Sequence, residues 1–78
     1  MESLIIYEIP NFFIGRKRTT IKVTIDKSCN KYYKVFVYDL GDLENQYHFT
    51  IYKSFLEIVH TDLFDYIYQL CENAYLDA

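Results

Sequence analysis

Tryptophan is absent from the 78 residues, proline occurs once, and glycine and cysteine occur twice each. With only Gly15 and Gly41, no glycine-rich loop can cradle a phosphate. Cys29 and Cys71 form no CxxC, and His48 and His60 form neither HxH nor HxxxH, so the ligand spacing of a zinc site is missing. The stretch DLGDLE, from Asp39 to Glu44, lacks the alternating ligands of a calcium loop and reads as a solvated turn. A secretory leader is not expected either, because MESLIIYEIP opens on Glu2 where a basic segment is needed and its apolar run is short. No stretch approaches the roughly 18 apolar residues of a membrane span. These absences predict a cytoplasmic protein with two free thiols, no metal, no cofactor and no membrane contact.

A nucleophilic site is equally hard to assemble. Cys71, His60 and Asp65 are the residue types required, but a nucleophile needs a base within hydrogen-bond reach and a third group to orient it. Helical periodicity puts His60 and Cys71 in or beside an apolar arc, where packing is expected. The protein is therefore expected not to be an enzyme.

What the chain does contain is apolar and aromatic. Hydrophobic residues make up 51% of it, including nine Tyr and six Phe, enough for one soluble domain spanning residues 1–78. Its charge is unevenly spread. Residues 1–38 sum to +4 and residues 39–78 to −7, giving the overall −3. Such asymmetry points towards a charged partner.

From Ser3 to Lys53 the pattern is strand-like. In TTIKVTIDK, Ile21, Val23 and Ile25 alternate with polar residues, and YYKVFVYDL and QYHFTIYK alternate likewise. SLIIYEI is apolar on both faces, which predicts a strand covered on both sides. Pro10 then marks an edge or a bulge, with NFFI continuing the strand. Turns are expected at Gly15 to Arg18, Lys27 to Asn30 and Gly41 to Asn45.

At Ser54 the period becomes helical. Ser54 and Glu57 have the spacing of a capping box. One helix of about 20 residues accommodates the rest, although Thr61 or Asp62 could cap a second if the chain breaks near His60. Phe55, Leu56, Val59, Leu63, Tyr66, Ile67, Leu70, Cys71 and Ala74 share one half of its wheel. That arc is wider than one sheet face needs, which suggests a curled sheet, a second copy completing the core, or a groove for a partner. The predicted fold is α+β: an antiparallel meander of about four strands followed by one long C-terminal helix packed on one face.

Three functional readings follow. In the first, Glu57, Asp62, Asp65, Tyr68 and Glu72 form an acidic helical stripe that docks on a protein with a basic, nucleic-acid-handling surface, while Arg16, Lys17 and Arg18 at a hairpin tip make a second contact. In the second, Lys22, Tyr32, Lys34, Phe36 and Tyr38 share a sheet face that stacks and neutralises single-stranded nucleic acid. The third is a structural subunit of a homo-oligomer. Small size, acidic balance, many aromatics and no catalytic motif make the chain similar in outline to small inhibitors encoded by phages and other mobile elements, including anti-CRISPR proteins and inhibitors of DNA repair enzymes. That similarity transfers no residue's role.

Overall fold

A computed structural model describes residues 3–76. Four strands, β1 (Leu4–Ile14), β2 (Lys17–Asp26), β3 (Tyr32–Asp39) and β4 (Asp42–Tyr52), are followed by helices α1 (Lys53–Val59) and α2 (Leu63–Leu76). The strands form one antiparallel sheet in the order β1-β2-β3-β4, so every strand pairs with its neighbour in sequence. This is the expected α+β meander.

The alternation in β2 and β3 sets the register. Ile21, Val23 and Ile25 stand opposite Asp39, Val37 and Val35, which turns the aliphatic residues of the two strands to one side. On that side they meet Ile67, Cys71 and Tyr75, the buried stripe of α2. The stripe recurs every four residues, one face of a helix. Phe12 and Tyr47 close around Tyr75, with ring centroids 5.8 and 4.8 Å from it. Each fully buried side chain of this size contributes about 1.5–3 kcal/mol.

Pro10 marks a bulge in the edge strand β1. Pairing passes from Ile9–Ile21 to Phe12–Thr19, so β1 spends one residue more than β2, and Asn11 takes the left-handed conformation with φ 57°. An extra residue inverts the alternation. Before the bulge Ile5, Tyr7 and Ile9 face the helix; after it Phe12 and Ile14 do, and Phe12 becomes buried. The opposite side of β1 is not covered, contrary to the reading of its two apolar faces. Leu4 and Ile6 are 51% and 58% exposed because both helices lie on the other side of the sheet.

Two of the three turns are tighter than the sequence implied, while the connection expected at Lys27 to Asn30 runs on through Lys31. Gly15 and Arg16 alone connect β1 to β2, and Gly15, at φ 63°, occupies the first central position, where a II′ hairpin requires a positive φ. Leu40 and Gly41 connect β3 to β4, and Asp42 to Asn45, expected as turn, belong to β4.

The single long helix is replaced by two. His60 ends α1 in the left-handed conformation, with φ 53° and ψ 40°. Asp62 then caps α2: its carboxylate accepts the amides of Phe64 at 3.0 Å and Asp65 at 3.3 Å, while its carbonyl accepts the amide of Tyr66 at 2.9 Å. The capping box at Ser54 does not form. The α1 N-cap is Tyr52, without a side-chain cap, because β4 runs straight into the helix and Ser54 already lies inside it. Replacing Asp62 by Ala should therefore cost about 1 kcal/mol in urea unfolding, whereas Ser54→Ala should stay within about 0.5 kcal/mol.

Candidate functional site

The residues proposed for recognition divide over two sides of the molecule. On the side away from the helices, the registers assemble Lys22, Tyr32, Lys34, Phe36 and Tyr38 on one open sheet face. A row runs across it from Ile6 through Thr24 and Phe36 to His48, and the Phe36 and His48 rings stack with centroids 4.7 Å apart. Lys22 lies 5.9 Å from the centre of the Tyr38 ring, and Tyr32 packs edge-on against Tyr52.

Charge on this face is balanced strand by strand. Lys22 stands between Tyr38 and Glu8, and Lys34 stands opposite Asp26. Opposite charges directly across a ladder attract and lower the net field of the surface. Asp26 also accepts the amide of Ser28 at 2.9 Å, and the Ser28 hydroxyl first, then that amide and Lys34, hold its carboxyl below the ordinary value. The carboxylate is therefore ionised at neutral pH.

The acidic stripe is less coherent than a single helix would make it. Glu57 lies on α1, Asp65, Tyr68 and Glu72 on α2, and Asp62 is committed to the cap between them. All five are exposed. Tyr68 also packs edge-on against Phe12, 5.9 Å between centroids, which anchors it beside β1.

The Arg16 to Arg18 triplet likewise separates. Arg16 sits in the turn, Arg18 pairs with Phe13, and Lys17 comes within 3.9 Å of the Asp39 carboxylate. Asp39 is the buried charge of the core face, 1% exposed. It accepts the Thr19 hydroxyl and, at 2.8 Å, the Gly41 amide. A β-carbon on Gly41 would lie 3.2 Å from Thr19 Oγ1 and 3.3 Å from Asp39 Oδ1 and Lys17 Nζ, a tight approach that would make the three side chains shift by a few tenths of an ångström. Sequence reasoning missed this cluster. Its legible signal was an Asp two residues before a Gly, the pattern of a side chain bonding to the turn amide.

Cys71, His60 and Asp65 differ in their exposure. The Cys71 thiol faces the sheet and burial pushes it up to about 12, while His60 and Asp65 are exposed. Among the described residues no three His, Cys, Asp or Glu side chains gather as metal ligands, and no helix is long and apolar enough to cross a membrane. No family model, curated protein or solved structure matches the chain.

The Asp39 cluster has a signed pH dependence. Burial raises its carboxyl pKa, but Thr19, the Gly41 amide and Lys17 together outweigh burial and hold it below the ordinary 3.8. Its contribution is complete above that value and is lost as pH falls through the lower folded-state value. Asp39→Asn should cost about 1.5–3 kcal/mol at neutral pH. It should also flatten the acid limb of a plot of urea midpoint against pH.

Proposed function

We propose that the protein is a non-catalytic protein-binding domain that engages its partner through the open face of the sheet. The observation that carries this reading is the pairing of Lys22 with Glu8 and of Lys34 with Asp26, which leaves an aromatic face of nearly neutral charge. A polyanion is bound chiefly by releasing counterions to unopposed cations, and here each lysine already has an anion across the ladder. Protein interfaces instead favour a desolvated aromatic centre with a mixed polar rim. Ile6, Phe36 and Tyr52, exposed beside His48, supply that centre. The partner's complement is an apolar surface ringed by both signs of charge.

The acidic helices add a second component. Glu57, Asp65 and Glu72 draw in a partner whose surroundings are basic, raising the encounter rate more than the strength of the final contact. An inhibitor that covers a basic, nucleic-acid-handling surface is the specific form of this reading that agrees with the acidic balance of the chain. The competing reading, a single-stranded nucleic-acid binder, draws its support from the shared face of Lys22, Tyr32, Lys34, Phe36 and Tyr38.

Capture of partners from a lysate with and without nuclease separates the two, followed by variants on the retained complex. Phe36→Ala should weaken a protein partner by about 2 kcal/mol, whereas Lys22→Ala with Lys34→Ala should change affinity little. Combined charge reversal at Glu57, Asp65 and Glu72 should slow association without altering the circular dichroism spectrum. Loss of retained material on nuclease treatment, with a salt dependence flattened by the double lysine variant, would transfer the assignment to nucleic acid.

A further inference from the structure

The bulge of β1 does more than turn Phe12 inward. It leaves two consecutive rings on opposite sides of an edge strand, Phe12 against α2 and Phe13, 63% exposed, across from Arg18. The helix meets this edge with the row beside its buried stripe. Ile67, Cys71 and Tyr75 are buried, and Tyr68 and Glu72, each one residue later than a member of that stripe and four apart, share the neighbouring strip of helix surface. Between that strip and the bulge lies a pocket of about 360 Å³, lined by Asn11, Phe12, Phe13, Tyr68, Glu72 and Asn73 among others.

This lining combines features that suit a cation. The Phe12 and Tyr68 rings stand at 78° with centroids 5.9 Å apart, so they make a corner and not a flat wall. Aromatic rings attract cations to their faces. Glu72 supplies the anion, and among the described residues the one ion pair is that of Lys17 with Asp39, so no cation of the described chain sits on the Glu72 carboxylate. The end of α2 adds negative potential. Its last turn, where a basic residue ordinarily offsets the carbonyl dipoles, contains none. Asn11 and Asn73 carry amide oxygens, further acceptors for a group with several donors.

We propose that this pocket binds an arginine side chain presented by a protein partner. A guanidinium is planar, stacks on aromatic rings and carries several N–H donors in a fixed fork, which matches rings, a carboxylate and amide oxygens gathered around one space. A lysine ammonium is a compact, strongly hydrated point charge and uses such a dispersed set less well. Arg16, in the adjoining turn, and Arg18 repel a loosely held cation, so the site favours a ligand that makes the stacking and carboxylate contacts together. The proposal rests on the reading of the chain as a protein-binding domain. It adds a contact at the β1 edge that the open face does not supply.

Titration of the full chain with the capped tripeptides Gly-Arg-Gly, Gly-Lys-Gly and Gly-citrulline-Gly, followed by backbone amide chemical shifts at constant ionic strength, tests the site. No partner is needed, so failure here is distinguishable from failure to capture a protein from the lysate. The expected result is saturable binding of the arginine peptide with a Kd of about 1 mM and shifts confined to residues 11–13 and 68–73. The lysine peptide should bind about tenfold more weakly, and the citrulline peptide, which keeps the shape and loses the charge, should not bind. Glu72→Gln should weaken the arginine peptide about tenfold, and Phe13→Leu, which keeps an apolar side chain without the ring, severalfold. Both positions are exposed, and unchanged amide shifts elsewhere verify that the variants fold. Asp65→Asn, which removes a charge of the same helix outside the pocket lining, should have little effect. Equal binding of the citrulline peptide, or equal losses in Glu72→Gln and Asp65→Asn, would overturn the proposal. So would binding that appears only after Arg16→Gln, which would make the chain's own arginine the occupant.

Discussion

Seating α2 on the sheet is the interaction on which the rest depends. Ile67, Cys71 and Tyr75 project from one face of the helix into the surface made by Ile21, Val23, Ile25, Val35 and Val37, and without that cover the sheet has no dry side. Two local devices make the fit. The bulge at Pro10 and Asn11 turns Phe12 inward, where its ring meets both Tyr68 and Tyr75. At the far end of the helix the Tyr75 hydroxyl donates to the Asn45 carbonyl at 2.9 Å, fixing the helix against β4 and giving a buried phenol its partner.

Much of this arrangement is written in residue order. The alternation of TTIKVTIDK and YYKVFVYDL carries β2 and β3 almost completely, because a half-buried sheet between a helix and solvent imposes a period of two. Where the pattern misled, a local effect competed with it. SLIIYEI is apolar on both faces, yet its second face stays open because both helices settle on the other side. The helix break at His60 is weakly signalled, since a non-glycine residue in the left-handed region has no strong sequence mark, and only Asp62 announces the restart. Once the helix divides, the wide apolar arc resolves into two narrower ones, of which α2 buries its own and α1 does not.

The candidate surfaces were legible as lists of residues and not as fields. Lys22 and Lys34 read as a basic, aromatic face until register set Glu8 and Asp26 beside them. Arg16 to Arg18 read as one cluster until the two-residue turn sent Lys17 towards Asp39 and Arg18 across from Phe13. Cross-strand neighbours lie far apart in sequence, so net charge by segment cannot anticipate this pairing. The same folding that gathers the aromatics sets one acidic residue across the ladder from each of Lys22 and Lys34.

The order of elements along the chain has a consequence for biosynthesis. Every strand pairs with the strand before it, so the hairpins can form one after another as the polypeptide leaves the ribosome. The cover for their apolar side is α2, which is translated after all four strands. During that interval the nascent sheet presents Ile21, Val23, Ile25, Val35 and Val37 uncovered, the state most exposed to chaperone capture and to misassembly with neighbouring chains.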